Sequence, residues 1–288
     1  MEYVTLNTGK KMPMAVFGVY QIPDFAQAEQ AVIDAVHAGY RAIDTAASYG
    51  NEEAVGSAIR KLIDEGFVKR EDLFITSKLW VQDMKNYDTA KKGIETSLQK
   101  LGLDYIDLYL EHQAMGNYFE AYRAMEDAYQ EGKLKAIGVS NFFPATLANF
   151  CENVKVIPAV NQVELHPWFA QEQALVTMKK YGVVPEAWAS LAEGKQGIFT
   201  DPDLTAIGKK YGKTAAQVAL RWNIQRGVVV VTKSTHMERI RQNLDVFDFR
   251  LSEEEMQKIS SKSLDHSEII NHFDPELVSM LNHHNIHD

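Results

Sequence analysis

The sequence predicts an α/β fold in which eight parallel strands and their crossover helices close into a (β/α)₈, or TIM, barrel. Short apolar runs alternate eight times with longer amphipathic segments, which is the order expected for parallel strands joined by helices. The 288 residues suit such a barrel, because the fold typically needs about 250. No glycine-rich G-x-G-x-x-G turn follows the first strand, which disfavours an open doubly wound sheet.

The first half of the chain contains a hairpin and four strand–helix units. Residues 3–14 have a Thr-Gly turn between two short runs and predict an N-terminal β-hairpin. Gly39 stands where the C-cap of the first helix is expected. The four units, each given as strand and then helix, are expected at 17–19 and 25–38, 42–44 and 51–65, 73–77 and 87–101, and 106–110 and 118–131.

The second half contains the other four strands, with extra helices before and after strand 8. A helix at 252–261 begins with the Ser-x-x-Glu pattern of a capping box, whereas the tail after Leu264 has little periodicity. No linker or low-complexity segment interrupts residues 1–288, so a single domain is expected. The units are expected at 136–139 and 144–150, 159–164 and 171–181, 183–187 with helices at 203–211 and 214–225, and 228–231 with a helix from about 237.

Composition disfavours several classes of protein. The formal net charge of −9 argues against a nucleic acid as the main partner. The single cysteine, Cys151, allows no intramolecular disulfide and fits a reducing compartment. No apolar stretch reaches the length of about 18 residues that a membrane span needs, and the N-terminal segment lacks the apolar core of a signal peptide. We therefore expect a cytoplasmic protein with no membrane partner.

Four side chains that can carry chemistry follow or end three consecutive predicted strands. Asp44 ends strand 2, Tyr49 lies five residues later at the start of the next helix, Lys78 ends strand 3 and His112 ends strand 4. Active sites of these barrels lie at the carboxyl ends of the strands, and strand alternation turns Lys78 and His112 inward. Because neighbouring strands are about 4.8 Å apart, the four side chains should meet within roughly 10 Å.

This set of residues is suited to donating a proton. A tyrosine with its usual pKa of about 10 is a weak acid, and the ammonium group of Lys78 should lower that pKa. Asp44 would pair with Lys78, and His112 would hydrogen-bond the substrate oxygen. A carbonyl that accepts a hydride at carbon needs a proton at oxygen, which Tyr49 can supply. Any one of these residues alone would more often be structural; the four together favour a catalytic site.

Several motifs resemble the aldo-keto reductase family, in order and over nearly the whole chain. They are GYRAIDTAASYGNEEAVGSAI, DLFITSKLW, SLQKLGLDYIDLYLEHQ, GKLKAIGVSNF, PAVNQVELHP and KSTHMERIRQN. The bacterial and plant-like diketogluconate reductases and the aldehyde and methylglyoxal reductases are the most similar group. The resemblance implies NADPH-dependent reduction of small aldehydes and ketones to alcohols, with Asp44, Tyr49, Lys78 and His112 as the catalytic tetrad and Tyr49 as the general acid.

The resemblance also implies how NADPH (or NADP⁺) would be held. Ser140, Asn141 and Gln162 would bind the nicotinamide carboxamide, which needs both donors and acceptors, and Trp188 would stack on the ring. Lys233 and Arg239, beside a helix start, would bind the 2′-phosphate and favour NADPH over NADH. Further residues implied in this site are Leu191, Ser234 and Thr235, with Gln242 and Asn243 at the adenine.

The substrate pocket is expected to be apolar with a few polar points. Its walls would include Tyr20, Trp80, Trp168 and Phe273, together with His112. No metal is expected, because the nine histidines do not follow a ligand-spacing motif such as H-E-x-x-H. A monomer is expected from the resemblance.

Some positions depart from the family pattern. Proline, which relatives often carry near Ala114, Ser190 and Thr232, is missing, so those loops should be less constrained in the unfolded chain. Ala189 replaces a serine that could help to hold the pyrophosphate. Glu111 faces the helices where an aliphatic residue is usual, so it must find a partner or solvent.

Two other functions stay open on the sequence alone. The chain could be a cofactor-binding regulatory subunit without significant turnover, although the intact set of four residues argues against pure binding. It could also be a metal-dependent barrel enzyme, with the terminal cluster of His283, His284 and His287 as ligands. We expect that cluster instead to be a polar tail without fixed contacts.

Overall fold

Eight parallel strands form a closed barrel in the computed structural model, which describes residues 1–287. A separate hairpin, β1 (Tyr3–Thr5) and β2 (Lys11–Pro13), precedes it. The strands follow chain order around the barrel, and the last pairs with the first. They are β3 (Ala15–Gly18), β4 (Ala42–Asp44), β5 (Phe74–Leu79), β6 (Leu108–Glu111), β7 (Ile137–Ser140), β8 (Val160–Glu164), β9 (Val184–Trp188) and β10 (Val229–Thr232). The predicted (β/α)₈ barrel with its N-terminal hairpin is confirmed.

Helices surround the barrel, and the extra ones lie before and after β10 as the sequence predicts. Within the described residues, no helix combines the length and the apolar character needed to cross a membrane. The helices are α1 (Phe25–Ala38), α2 (Glu52–Asp64), α3 (Tyr87–Leu101), α4 (Tyr118–Gln130), α5 (Pro144–Cys151), α6 (Glu172–Tyr181), α7 (Pro202–Tyr211), α8 (Ala215–Gln225), α9 (Met237–Leu244), α10 (Glu253–Ser260) and α11 (Pro275–His283).

Local capping residues fix where several helices begin and end. Asp24 accepts the backbone N–H of Gln27 at 2.8 Å and begins α1. Gly39 ends that helix with a φ of 114°, a left-handed conformation that glycine adopts without steric cost. Ser252 and Glu255 form the predicted capping box of α10. The caps at Gly39 and Ser252 lie where the sequence predicts them, because they depend on only a few neighbouring residues.

The strand register brings polar side chains into the barrel interior. Asp44 pairs with Thr76, and Gln162 pairs with Glu186, so each pair points to the same side of the sheet. Gly18 allows the close packing of β3 against β10, because a Cβ there would lie 2.8 Å from the side chain of Val231. The β1–β2 hairpin ends just before β3 begins. It therefore lies at the amino end of the barrel, and the polar residues face the opposite, carboxyl end.

The tail after Leu264 is ordered, so the expectation of a polar tail without fixed contacts is wrong. It forms α11, which docks through Val278 and Leu281 against an apolar cluster containing Trp80. The Trp80 indole N–H donates to the carbonyl of His284 at 2.7 Å. His287 Nε2 lies 2.9 Å from Asp83 Oδ1. A nine-residue helix with histidines and asparagine at its end gives too short a periodic signal to detect.

Glu111, at the end of β6, does not find the partner that the sequence analysis expects. Its side chain is fully buried, and neither carboxyl oxygen has a hydrogen-bond partner among residues 1–287. The hydroxyl of Tyr122, on α4, is also buried without a partner in that range. Burial raises the pKa of Glu111 well above its usual value, because an isolated charge in an apolar layer is very unfavourable. Burial therefore favours the neutral form of the Glu111 side chain.

Replacing Glu111 with Met is expected to raise the free energy of unfolding by about 1–3 kcal/mol near neutral pH, since it removes a buried polar group without hydrogen bonds. The gain should increase with pH. Because the pKa of Glu111 is higher in the folded chain than in the unfolded chain, its proton favours folding at low pH, and that contribution is lost as pH rises. Urea unfolding of both proteins between about pH 5 and pH 8 measures the difference.

Glu126 provides a matched control on the neighbouring helix. Its carboxylate accepts the backbone N–H groups of Lys155 and Val156, both at 2.8 Å. Glu126→Met should therefore destabilise the protein, since two backbone N–H groups lose their acceptor. A gain for Glu111→Met that is the same at pH 5 and pH 8 would show that this carboxyl group does not hold its proton in the folded chain.

Candidate active site

Asp44, Lys78 and Tyr49 meet at the carboxyl end of the barrel. Lys78 Nζ donates to Asp44 Oδ1 at 2.6 Å, to the carbonyl of Thr45 at 2.9 Å and to Tyr49 Oη at 3.2 Å. Lys78 is fully buried and Asp44 is 3% exposed. All three N–H groups of the ammonium are used, so the lysine is held in one position. The phenol oxygen thus lies in direct contact with a buried cation.

Tyr49 lies in a 3₁₀ turn, Ala47–Tyr49, and not at the start of α2 as the sequence predicts. Asn51, just beyond this turn, is buried and ties it to neighbouring segments. Its side chain accepts from Thr45 Oγ1 at 2.8 Å and donates to the carbonyls of Val19 and Ile22 at 2.9 and 3.1 Å. Sequence reasoning missed Asn51, although a polar residue capping a loop between two buried elements is a detectable signal. These bonds fix the turn that presents the phenol.

The pKa of Tyr49 differs from the expectation of an acidified phenol. Burial raises it to about 12. The charge of Lys78 lowers it, and the charge of Asp44 raises it again. Burial also acts to lower the pKa of Lys78, but Asp44 and Tyr49 outweigh that effect and the net pKa is raised. In the structure the phenol is therefore protonated and the lysine is charged.

His112 follows directly after β6 and faces the Tyr49 ring. The two ring centroids are 5.5 Å apart, and the Trp80 ring lies 5.2 Å from the imidazole on another side. His112 Nδ1 lies 3.2 Å from Ser48 Oγ. Burial, together with the charge of Lys78, lowers the pKa of His112 well below its usual value. A neutral imidazole is therefore available at this position to hydrogen-bond a substrate oxygen.

Ser140, Asn141, Gln162 and Trp188 line the next part of the mouth, and hydrogen bonds connect them. Ser140 Oγ donates to the Gln162 carbonyl at 2.8 Å, and Asn141 Nδ2 donates to Ser140 Oγ at 3.1 Å. The Trp188 indole N–H donates to Asn141 Oδ1 at 2.9 Å. Asn141 has a φ of 62°, which asparagine tolerates better than most residues. The structure thus brings these four predicted residues together.

Glu186, on β9, belongs to the same interior layer and was not among the predicted site residues. Gln162 Nε2 donates to Asp44 Oδ2 and to Glu186 Oε2, both at 3.0 Å. Glu186 Oε1 is buried and has no hydrogen-bond partner within residues 1–287. Burial and the charge of Asp44 raise the pKa of Glu186 to about 8. A carboxylate inside an otherwise apolar strand is a sequence signal that could have pointed to Glu186. The partners of that carboxylate, however, depend on the register in which the strands pair.

The residues expected at the 2′-phosphate lie after β10 and on α9. Lys233, Thr235 and Arg239 are exposed, and neither Lys233 nor Arg239 forms an ion pair with another described residue. The site therefore offers two unneutralised cations beside a helix start. The other residues expected nearby are Ser234, which accepts the backbone N–H of His236, the half-buried Gln242 and Leu191, and the buried Asn243.

The predicted pocket walls differ in how closely they approach Tyr49. The Tyr20 ring lies 4.9 Å from the Tyr49 ring, and Trp80 contacts His112. Phe273 is 73% exposed and packs against Phe143, so it is a rim residue and not a wall. The side chain of Trp168 packs against the main apolar core instead, and its carbonyl accepts the N–H of Leu264 at 2.8 Å.

The tail is anchored at the mouth by a buried carboxylate. Glu164, at the end of β8, accepts from Ser267 Oγ at 2.5 Å and lies 3.0 Å from His166 Nε2. Further along the tail, the ring centroid of His272 lies 6.4 Å from that of Trp188. No group of three His, Cys, Asp or Glu side chains within residues 1–287 is arranged to hold a metal ion. The metal-dependent alternative therefore has no ligand set in this range.

Two of the three positions that lack proline have polar replacements with partners. Thr232 Oγ1 lies 3.0 Å from the hydroxyl of the buried Tyr40, and Ser190 Oγ donates to the carbonyl of Ala187 at 2.9 Å. Ala189 has a φ of 49°, a left-handed conformation that is uncommon for alanine. The structure gives no comparable contact for Ala114, which is half-buried.

Known proteins resemble this chain over most of its length. The family model described as "Aldo/keto reductase family" matches residues 14–264. The protein named "Glyoxal reductase" from Bacillus subtilis (strain 168) is 43% identical over 265 residues, which cover 92% of this chain and 94% of that protein. "Methylglyoxal reductase DkgA" from Escherichia coli (strain K12) is 40% identical over 260 residues, which cover 89% and 92%.

A solved structure is similar to this chain in both sequence and fold. The Bombyx mori aldo-keto reductase, determined in complex with NADP, superposes with a TM-score of 0.87 at 37% identity. The match covers 92% of this chain and 94% of that one. The resemblance seen in the sequence motifs is thus confirmed, and the chain belongs to the aldo/keto reductase family.

Proposed function

We propose that this protein is an NADPH-dependent reductase of small aldehydes and ketones in which Tyr49 is the general acid. The observation that carries the proposal is the contact of the Tyr49 hydroxyl with the buried ammonium group of Lys78, at 3.2 Å. The names of the relatives support glyoxal and methylglyoxal as the kind of carbonyl compound to test. The walls formed by Tyr20, Trp80 and His112 are consistent with a small substrate.

The chain's own residues fit NADPH. Ser140, Asn141 and Gln162 carry the donors and acceptors that a carboxamide requires. Lys233 and Arg239 are exposed cations without ion-pair partners in the described range, and an arginine beside a helix start suits a phosphate group. The coenzyme bound to the Bombyx mori relative, NADP, is of the same type.

Four residues would perform the proton chemistry of the reduction. When bound, NADPH supplies the hydride to the carbonyl carbon. The neutral imidazole of His112 would hydrogen-bond the carbonyl oxygen and orient it toward Tyr49 Oη. Tyr49 would then give its proton to that oxygen. Lys78 would stabilise the phenolate that remains, and Asp44 would hold Lys78 charged and in place.

The raised pKa of Tyr49, to about 12 through burial, is compatible with this role. A phenol with that pKa keeps its proton throughout the neutral range, so the acid is always available. An alkoxide is a stronger base than a phenolate, so transfer of the proton to it is still favourable. Lys78 matters more after the transfer than before it, because it then faces a full negative charge.

Tyr49→Phe should lower kcat for methylglyoxal by about 10²–10⁴, the usual contribution of a general acid, because Phe keeps the ring and loses the proton. NADPH affinity should change little, since the hydroxyl is assigned to the substrate. Steady-state kinetics and titration calorimetry with NADPH measure the two quantities.

Tyr105→Phe serves as the matched control. Tyr105 precedes β6 and therefore lies near the amino end of the barrel, where the Arg70 guanidinium covers its ring at 4.1 Å. The Tyr105→Phe variant should retain full activity with methylglyoxal. Turnover that survives Tyr49→Phe would exclude Tyr49 as the acid. Wild-type protein that binds NADPH but consumes none with any carbonyl tested would favour the regulatory-subunit alternative.

Arg239→Ala should weaken NADPH binding by about 10–100-fold, the effect of losing one or two charge-assisted hydrogen bonds. NADH lacks the 2′-phosphate, so its affinity should change by less than about 3-fold. Arg241→Ala is the matched control, because Arg241 is an exposed arginine two residues further along α9 and points to a different side of that helix. Equal losses for NADPH and NADH would contradict the assignment of Arg239 to the phosphate.

A further inference from the structure

Two carboxyl groups share one amide inside the barrel. Gln162 Nε2 donates one hydrogen bond to Asp44 and one to Glu186, and all three side chains are buried. Turning the amide over would set its oxygen against two carboxyl oxygens, one of them charged. The pair of acceptors therefore fixes the amide with its nitrogen toward the two carboxyl groups.

We propose that Glu186 is a positioning residue of the coenzyme site: together with Asp44 it holds the Gln162 amide so that the amide oxygen accepts an N–H of the nicotinamide carboxamide. The inference rests on the proposed function and extends it to a residue that touches neither substrate nor coenzyme.

Gln162 Oε1 is the acceptor that the neighbouring residues leave free. Asn141 Oδ1 already accepts from the Trp188 indole, and Ser140 Oγ already accepts from Asn141 and donates to the Gln162 carbonyl. Gln162 Oε1 has no hydrogen-bond partner among residues 1–287. This oxygen is not completely buried, whereas Glu186 Oε1 is. An amide N–H arriving at this end of the barrel would find its acceptor at Gln162.

Glu186 can hold Gln162 without disturbing the pair of Asp44 and Lys78. Asp44 has the Lys78 ammonium at 2.6 Å, whereas no cation among residues 1–287 forms an ion pair with Glu186. Like charges this close are unfavourable, and burial together with Asp44 raises the pKa of Glu186 to about 8, against a smaller opposing effect of Lys78. As a neutral acid, Glu186 still offers its carbonyl oxygen to Gln162 and does not compete for Lys78.

The test compares NADPH dissociation constants for variants at position 186 near neutral pH. Glu186→Met has a similar length and no acceptor, so one anchor of the Gln162 amide is lost. NADPH should bind about 3–10-fold more weakly, the effect of one neutral hydrogen bond. Glu186→Gln keeps a carbonyl acceptor and should restore the affinity to within about 2-fold of the wild type. If the Met variant does not fold, Glu186→Leu replaces it, and the same weakening of NADPH binding is expected.

Thr76→Val is the matched control. Thr76 pairs with Asp44 in the register, and its hydroxyl is buried without a partner in the described residues. Removing it changes the barrel interior without touching Gln162. NADPH affinity should stay at the wild-type value, and circular dichroism of each variant checks that the barrel is folded.

A coenzyme analogue separates positioning from a general structural effect. In the 3-acetylpyridine analogue of NADPH a methyl group replaces the carboxamide nitrogen, so it has no N–H to give to Gln162. Wild type and Glu186→Met should bind this analogue equally. Equal weakening for NADPH and the analogue, or no weakening for either, would overturn the role of Glu186. Wild-type protein that binds no NADPH would instead overturn the proposed function, and with it this inference.

Discussion

The ion pair of Asp44 and Lys78 is the interaction on which the mouth of the barrel depends. Removing two such charges from water costs several kcal/mol per ion, and the structure offsets this cost by satisfying the lysine completely. Its three N–H groups bond Asp44, the Thr45 carbonyl and Tyr49. Loss of either partner would leave an uncompensated charge in the interior. The position of the phenol is therefore coupled to the integrity of the pair.

Three buried carboxyl groups show how surroundings decide what an acid does. Asp44 forms an ion pair with the buried ammonium of Lys78. Within the described residues, Glu186 has only the Gln162 amide as a partner and Glu111 has none, so burial raises the pKa of both. Glu186 nevertheless faces the polar interior and accepts a hydrogen bond from an amide there, whereas Glu111 faces the helices and has no such donor among residues 1–287. The same functional group is thus an ion, an oriented neutral acceptor and a source of instability.

Much of the barrel could be predicted from sequence, because strand and helix periodicity and caps are local signals. The positions of Asp44 and Lys78 follow from strand ends alone. The sequence could not predict that Gln162 bridges Asp44 and Glu186, since Gln162 and Asp44 are 118 residues apart and meet only through the strand register. The net pKa of Tyr49 was also mispredicted, because pairwise reasoning considered the charge of Lys78 and left out the larger effect of burial.

The barrel carries the residues proposed for the chemistry, whereas the tail borders the mouth through which a substrate would reach them. The groups proposed to hold and move a proton lie on strand ends or on the short turn after β4, where backbone hydrogen bonds fix them. The rim of the mouth is built partly from the tail, whose contacts with the barrel include Ser267 to Glu164, His284 to Trp80 and His287 to Asp83. Two of these contacts lie at the end of β5 or just after it, and one lies at the end of β8. Changes in the tail can therefore reshape the pocket while Tyr49, Lys78 and Asp44 stay in place, which is the arrangement expected when a rigid barrel carries variable loops.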